Sequence, residues 1–478
     1  MNNNAILNIK LAIMKKYLTL IATFAFILNV YTQVPHLTGE IEISIQSGTF
    51  DAELMLSNLP DMDNYSIWIN RGLNIEYFRD AEDKFNYYYN YEYAPENSRI
   101  SSEETIKYYF PSSDNKSRYL PNSFMVSYTG KFPVIADTLR AYPWKDWKGN
   151  MAFNGQSFRA SEQSAWYPIL YDRENDIVIN KYTYDITVNC EDCSALYSNG
   201  DLPVKGSRAS FSSDEAVPLL LFTGNFDFSK YEDIYFINVY LDLEKKETLN
   251  NMIQKTIGFY EKKLLIPYGQ PVVCLGSTPV SIRNGWLFVT YPTIAVVARQ
   301  QYNWQSYFDP ETHQFSRNTA KKLIAHELCH YYIGNIFVPN STLTWFFGEG
   351  LTDYLAILAI KHLEGKDFYR EIISTYAMQV SEFKPVPLNK ITRLGEINEL
   401  YRYRYAPLLL TAIEKEVGEE TMWAWAREVI GSNGQLTDFD FFKSTLMAAG
   451  VSEDMFENIF ENLLDNENAL QNVLEKIQ

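Results

Sequence analysis

The chain has 478 residues, of which 46% are hydrophobic and 21% are charged, and its formal net charge is −17. This length is sufficient for two or three domains with their own cores, and the composition is that of an ordinary globular protein. The negative charge argues against a nucleic-acid partner, because phosphate binding requires a basic face.

The N-terminus has the pattern of an export signal. Lys15 and Lys16 precede the apolar run LTLIATFAFILNVY at 18–31, whose length is typical of a signal peptide and short for a membrane span. We therefore expect residues 1–33 to be removed and the mature chain to be exported, to the periplasm, the cell surface or the medium, without a membrane span. An uncleaved anchor is the alternative.

Residues 34–230 are predicted to form a β-rich domain. Several short segments alternate apolar and polar residues or are rich in Ile, Val and Tyr, as strands are; they are EIEISIQ, YSIWIN, YDITVN and AVPLLLFTGNF. SNGD at 198–201 predicts an Asn-Gly hairpin turn, since both central residues accept positive φ. Cys190 and Cys193, in CEDC, lack the second pair that a zinc knuckle requires, so a local disulfide or two free thiols remain open.

The pattern changes near residue 231, and we place the second domain at 231–478. The segment at 244–264 has the spacing of an amphipathic helix, and QPVVCLGS and GWLFVTYPTIAVVA have the composition of strands. From residue 317 onward, apolar residues recur at helical spacing. The sequence thus predicts an α+β protein, with a β-rich part followed by a mainly helical one.

AHELCHYYIGN at 325–335 contains two of the five histidines, four positions apart. On a helix that ends near Gly334, His326 and His330 lie one turn apart on one face, where both can bind one Zn²⁺ at about 2.0–2.1 Å. Glu327 is rotated by about 100° from His326, so it can face a metal-bound water and act as general base. Two core histidines, or a site that binds zinc without activity, are the alternatives. Cys329 is interpreted as a small buried helix residue.

A catalytic zinc needs a third protein ligand and one open position. Glu349 follows His330 by nineteen residues, within TWFFGEGLTDYLA, a segment that is also predicted to be helical. A carboxylate from a neighbouring antiparallel helix would complete a site of two histidines and one glutamate. The remaining histidines have no ligand spacing and are interpreted as surface or core residues; they are His36, His313 and His362.

The motif HELCHYYIGN, followed after eighteen residues by the Glu of WFFGEGLTDYL, resembles the gluzincin aminopeptidases, the family that includes alanyl aminopeptidase and a leukotriene epoxide hydrolase. SAWYPILYD, YTYDITVNC and YSNGD resemble the latter half of that family's N-terminal β domain, and GWLFVTYPTIAVVA resembles the strand that lines its cleft. The resemblance implies a β-rich saddle domain followed by a thermolysin-like, mainly helical catalytic domain. We expect a short form without the family's C-terminal helical repeats.

The resemblance implies two further site residues. The family has an oxyanion-binding Tyr in a YxKG motif, and aligning YRYA with it selects Tyr403, with Tyr401 and Tyr405 as rivals. In a helix, residues 401 and 405 share a face and 403 points elsewhere. Asp353, four residues after Glu349, matches an Asp that holds a zinc-bound His in thermolysin-like enzymes. A solvated helix charge is the alternative for Asp353.

One position departs from the family. PVSIR at 279–283 lies over the GxMEN motif, so Ile282 replaces the Glu that binds the free amine of the substrate. We therefore expect a zinc-dependent metallopeptidase with peptide substrates, aminopeptidase-like but with altered anchoring of the substrate N-terminus. An endopeptidase or non-peptide amide hydrolase is the second hypothesis, and a non-catalytic binding protein on a peptidase scaffold is the third. The sequence leaves the oligomeric state open.

Overall fold

The computed structural model describes residues 33–93, 104–113, 117–136, 148–280, 285–297 and 303–477. The expected signal peptide, apart from its last residue, and Ile282 lie outside the described residues.

The N-terminal part is built almost entirely from strands, as the alternating segments predict. In chain order they are β1 (His36–Ser44), β2 (Thr49–Ser57), β3 (Tyr65–Asn70), β4 (Leu73–Asp80), β5 (Asn90–Tyr93), β6 (Thr105–Tyr109), β7 (Phe124–Lys131), β8 (Ala152–Phe153), β9 (Ser157–Ala160), β10 (Ile169–Asp172), β11 (Ile177–Ile179), β12 (Lys181–Asn189), β13 (Ala195–Ser198), β14 (Val204–Lys205), β15 (Arg208–Pro218) and β16 (Leu221–Gly224).

Within the described residues these strands form three sheets. Their strand orders are β15-β12-β1-β2-β7-β4, β11-β10-β3-β6-β5 and β14-β13-β16-β9-β8, and β1 and β12 pair in parallel. Alternate side chains enter the core because successive residues of a strand point to opposite faces, so that Leu37, Ile41 and Ile43 of β1 are buried. Phe50 joins two of the sheets through ring contacts with Phe158, at 5.7 Å between centroids.

The turn predicted at 198–201 differs in the structure. Gly200 takes a positive φ of +89°, but Asn199 does not, and residues 199–203 together separate β13 from β14. Asn199 is instead held in the core by two hydrogen bonds. Its backbone carbonyl accepts from the Tyr184 hydroxyl at 2.7 Å, and its side-chain amide donates to the Pro218 carbonyl at 2.5 Å. A turn does form at 198–201, where the Asp201 N–H donates to the Ser198 carbonyl at 3.3 Å, but the positive φ that both central residues can accept is found at Gly200 alone.

A fourth sheet leads into the helical part. It consists of β17 (Phe228–Tyr231), β18 (Ile234–Ile237), β19 (Val273–Ser277), β20 (Trp286–Thr290) and β21 (Thr293–Val297), in the order β17-β18-β19-β21-β20. The three inner strands are parallel, whereas β17 and β20 are antiparallel to their neighbours. Strand β20 therefore lies at an edge, where one side of its backbone has no partner strand among the described residues.

The helices form the remainder of the C-terminal part. They are α1 (Leu243–Leu264), α2 (Asn318–Cys329), α3 (Thr352–Glu364), α4 (Lys366–Gln379), α5 (Ala406–Val417), α6 (Glu419–Gly431), α7 (Phe439–Ala448), α8 (Glu453–Ile459) and α9 (Ala469–Ile477). Helix α2 contacts α1, α3 and the edge strand β20, and the Tyr260 hydroxyl of α1 donates to the Ala325 carbonyl of α2 at 2.9 Å. The predicted fold class, β-rich and then mainly helical, is confirmed. Among the described residues, no helix is both long and apolar enough to cross a bilayer.

Candidate metal centre and active site

Helix α2 carries the first two candidate ligands. It ends at Cys329, before the expected Gly334, and His330 continues in a right-handed conformation with its N–H bonded to the His326 carbonyl at 3.3 Å. The spacing of one helical turn between the two rings is therefore kept although the regular helix has ended. Gly334, with φ +122°, lies in the turn that follows.

Three side chains converge on one point. The Nε2 atoms of His326 and His330 lie 3.1 Å apart, and the Glu349 Oε2 atom lies 3.2 Å from the first and 3.8 Å from the second. A tetrahedral ion with ligands at 2.0–2.1 Å would place its ligand atoms about 3.3–3.4 Å from one another. The donor set of two imidazoles and one carboxylate also suits Zn²⁺. These three residues therefore fit a zinc ion.

The second nitrogen of each imidazole is held by an acceptor. His326 Nδ1 lies 3.1 Å from an Asp353 carboxylate oxygen, and His330 Nδ1 lies 3.0 Å from the Ile333 carbonyl. An acceptor at Nδ1 keeps the proton there, so the lone pair of Nε2 points toward the other ligands. Asp353 is fully buried, in contrast to the solvated helix charge that was its alternative.

A buried cation and a tyrosine complete the surroundings of Asp353. The Lys322 ammonium donates to one carboxylate oxygen of Asp353, and the Tyr376 hydroxyl donates to the other at 2.9 Å. Burial opposes ionisation of Asp353, but the Lys322 charge and the His326 hydrogen bond hold its pKa below the usual range. The carboxylate therefore stays charged inside the protein, where it fixes the orientation of the His326 ring.

Two π-helical turns face each other across the site. Glu349 lies in the turn Phe346–Leu351, which precedes α3, and the second turn, Tyr401–Tyr405, precedes α5. The first turn packs at Gly350 against the start of α5, directly after the second turn, where an added Cβ atom would lie 2.7 Å from the Ala406 Cβ atom. Gly350 thus allows the approach that places Glu349 opposite the second turn.

The second turn separates its three tyrosines. Tyr401 and Tyr405 are buried together, with ring centroids 5.0 Å apart, and both rings contact Phe383 in the core. Tyr403 points to the other side, where its ring centroid lies 6.1 Å from that of His326. Burial and the neighbouring Glu349 carboxylate raise the pKa of Tyr403, so its hydroxyl keeps its proton and can donate it in a hydrogen bond.

Glu327 adjoins the candidate ligand His326 and lines a cavity. Its side chain is buried and makes no hydrogen bond or ion pair with any other described residue. Burial raises the pKa of the Glu327 carboxyl to about 7; the His326 charge opposes this shift, and the Glu349 charge adds to it. A carboxyl with a pKa near neutrality can both take and return a proton.

The cavity beside Glu327 has a volume of about 550 Å³. Gly285, Trp286 and Leu287 line one wall, at the start of the edge strand β20. Side chains from α2, α3, α4 and the second π-helical turn also line the cavity. An extended chain can therefore lie along β20 with one of its bonds close to Glu327 and the histidines.

The sequence interpretation missed several residues that the structure brings to the site. Lys322 precedes His326 by four positions, so helical spacing alone places the two side chains on one face and could have identified it. Tyr376 and Arg404, which also line the cavity, have no comparable signal. Lys148 comes from the N-terminal part, and its charge lowers the pKa of Glu327.

The remaining cysteines and histidines have other surroundings. Cys190 and Cys193 form a disulfide, and Cys274 and Cys329 are buried free thiols. His313 pairs with Asp242 at 3.1 Å. His36 Nδ1 is hydrogen-bonded to the Thr183 hydroxyl at 2.9 Å, and the His362 ring stacks on Phe259. Among the described residues, one other group has three potential ligand atoms close enough to bind one metal ion. It consists of Cys190, Asp192 and Cys193, at the disulfide.

Comparison with known proteins supports the family resemblance. No family model matches the chain. Probable aminopeptidase 1 of Saccharolobus solfataricus is 27% identical over 221 residues, which is 42% of this chain and 26% of that protein. Endoplasmic reticulum aminopeptidase 2 of Homo sapiens is 23% identical over 199 residues, which is 38% of this chain and 20% of that protein. The matches thus span about a quarter or less of these relatives.

Solved structures share the fold over most of the chain. Leukotriene A4 hydrolase of Saccharomyces cerevisiae superposes with a TM-score of 0.61 at 13% identity, covering 90% of this chain and 67% of that one. A variant of an M1 zinc metallopeptidase from Deinococcus radiodurans gives a TM-score of 0.56 at 12% identity, covering 93% of this chain and 94% of that one. The expected resemblance to gluzincin aminopeptidases is confirmed in the fold and in the sequence relatives.

Proposed function

We propose that this chain, which has the fold of the gluzincin aminopeptidases and aminopeptidases as sequence relatives, is a zinc-dependent metallopeptidase. One observation carries the proposal: three donor atoms lie 3.1–3.8 Å from one another, next to the buried Glu327 carboxyl. In our proposal His326, His330 and Glu349 hold Zn²⁺, which when bound lowers the pKa of a water molecule and polarises the scissile carbonyl.

The residues of the chain have distinct tasks in this proposal. Glu327 takes the proton of the attacking water and delivers it to the leaving amine, a contribution of typically about 10²–10⁴ in rate. Tyr403 donates a hydrogen bond to the oxygen on which negative charge develops. Asp353 keeps the His326 ring in place through Nδ1.

The substrate that fits this geometry is a peptide in extended conformation. Strand β20 can pair with it through backbone hydrogen bonds, because its outer edge has no partner strand among the described residues. The charge of −17 argues against nucleic acid.

Altered anchoring of the substrate N-terminus is part of the proposal. Ile282 lies outside the described residues, so its role stays a prediction from the alignment. Glu162 is an acid next to β20, but Lys148 pairs with it at 2.5 Å and the Thr290 hydroxyl donates to it at 2.9 Å. Because Glu162 is already neutralised by these partners, it is a poor anchor for a substrate ammonium group.

The test is the variant Glu327→Gln, with Glu475→Gln on the exposed surface of α9 as the matched control. We expect the wild-type protein and both variants to contain close to one zinc per chain by metal analysis. Glu327→Gln should lose peptide hydrolysis by a factor of about 10² or more, while the control stays active. Full activity of Glu327→Gln would contradict the mechanism.

Blocked and unblocked peptides separate the competing activities. Cleavage of free N-terminal residues, followed with amino-acid naphthylamides, indicates an aminopeptidase. Cleavage of N-acetylated peptides only would favour an endopeptidase or a hydrolase of other amides. Zinc binding without any cleavage would favour a binding protein on this scaffold.

We further propose that the mature protein is exported, with cleavage after residue 33 and a domain boundary near residue 230. The disulfide between Cys190 and Cys193 supports export, because disulfides persist mainly in oxidising compartments. Mass spectrometry of the N-terminus of the protein recovered from cell fractions tests this. An intact N-terminus in the cytoplasmic fraction would contradict export.

A further inference from the structure

Arg404 is a cationic residue in the wall of the cavity next to the proposed catalytic site. It follows Tyr403 directly and lines the same cavity as His326 and Glu327. Leu323, Phe368 and other apolar side chains line the same cavity. The guanidinium therefore lies in partly apolar surroundings, where a charge interacts more strongly than it does in bulk water.

Neutral groups hold Arg404 in a fixed position. Its Nε atom donates to the Gln379 side-chain oxygen, and Nη1 donates to the Tyr403 carbonyl at 2.6 Å. The guanidinium carbon also lies 4.5 Å from the centre of the Tyr376 ring. Held in this way, the guanidinium has little conformational entropy to lose when it binds an anion, and its Nη2 group has no hydrogen bond to the other described residues.

The other charges of the cavity wall leave the Arg404 charge uncompensated. Lys322 is paired with Asp353, and Glu371 is exposed to solvent, where water screens its charge. The Glu327 carboxyl also lines the cavity, but it makes no hydrogen bond or ion pair with Arg404. Within the part of the chain that the structure describes, Arg404 makes no ion pair. An unpaired, half-buried guanidinium is a binding group for a carboxylate, which it can engage through two N–H groups at once.

We propose that Arg404 binds a carboxylate of the substrate, so that the preferred substrates are peptides with a carboxylate close to the cleaved bond. This inference rests on the proposed peptidase function and adds the class of substrate. The carboxylate can be the side chain of an Asp or Glu residue, or the C-terminal carboxylate of a short peptide.

Dipeptides test this best, because each contains a single peptide bond that joins two residues. The set contains Ala-Gln amide, which has no carboxylate, Ala-Glu amide, which has one on the side chain, and Ala-Gln, which has one at the C-terminus. The same three compounds with an N-acetyl group cover an enzyme that requires a blocked amine. We expect one of the carboxylate compounds to exceed the neutral one by about tenfold or more in kcat/KM, as charge-assisted hydrogen bonds allow.

Variants of Arg404 test whether this residue is responsible. Arg404→Glu should abolish the preference and favour Ala-Lys amide over Ala-Glu amide, mainly through KM, because the contact is made in the ground state as well. Arg404→Lys should keep part of the preference. The matched control is Arg370→Glu, the same charge change at an exposed position of α4, which should leave the preference unchanged. An unchanged preference in Arg404→Glu would overturn the proposal.

Binding to a non-hydrolysing protein separates this inference from the peptidase function. Calorimetry with zinc-loaded Glu327→Gln and the three dipeptides reports affinity whether or not the wild-type protein cleaves them. Tighter binding of a carboxylate compound that is lost in the double variant with Arg404→Glu supports the inference even if no hydrolysis is found. Equal binding of all three compounds overturns it and leaves the peptidase proposal standing if the wild-type protein is active.

Discussion

The two sides of the site differ in how their charged groups are paired. On the α2 side, Asp353 is bonded to His326, Lys322 and Tyr376, so all four groups are satisfied by one another. On the side of the second π-helical turn, neutral partners hold Arg404 and leave its charge uncompensated within the described residues. The first side is built to fix a geometry, whereas the second retains the capacity to bind a charged molecule.

Among the variants that test this comparison, we expect the largest effect from Tyr403→Phe, in the second π-helical turn. Loss of one donor to a developing oxyanion lowers kcat by about 10²–10³, with zinc content unchanged. Steady-state kinetics on a cleaved peptide measures this. Tyr405→Phe is the matched control, since Tyr405 is buried against Phe383 away from the ligands, and it should keep near-normal kcat. Equal losses in both variants would contradict the assignment of Tyr403.

We expect a smaller effect from Asp353→Asn, on the α2 side of the site. The neutral amide holds the His326 ring less firmly and leaves the Lys322 charge without its counter-ion, so zinc affinity should fall by about 10–100-fold. Competition with a chelator of known affinity measures the change. The control Asp367→Asn alters a side chain that is fully exposed and should have no effect. Unchanged zinc affinity in Asp353→Asn would show that the network does not act on the metal site.

The smallest effect concerns the contact between the first π-helical turn and the start of α5, which directly follows the second turn. Gly350→Ala would place a Cβ atom 2.7 Å from the Ala406 Cβ atom, and such overpacking lowers the free energy of unfolding by about 1–3 kcal/mol. Denaturant unfolding measures it. Gly348→Ala is the matched control, because the nearest atom to its added Cβ, in Pro339, is 3.6 Å away. A similar loss of stability in both variants would mean that the contact at Gly350 does not hold the turns together.

Much of the fold could be predicted from the sequence. The strands of the N-terminal part follow alternating side chains, and helix α1 (Leu243–Leu264) coincides with the predicted segment 244–264 to within one residue. The turn at 198–201 was predicted in its position but not in its conformation, because Asn199 is held by buried hydrogen bonds to Tyr184 and Pro218. Those partners lie fifteen and nineteen residues away, outside what a turn motif can report.

The sequence by itself determined the relations that depend on helical spacing. His326 and His330 lie on one face because they are four residues apart, and Tyr403 points away from Tyr401 and Tyr405 because it lies between them. The sequence also proposed Glu349 as the third ligand, but only the tertiary structure brings its carboxylate to 3.2 Å from His326 Nε2. Only the tertiary structure decided that Lys322 and Tyr376 pair with Asp353, and that Arg404 lines the cavity without an ionic partner among the described residues. These relations join segments far apart in the chain, and their distances are set by the packing of helices rather than by local geometry.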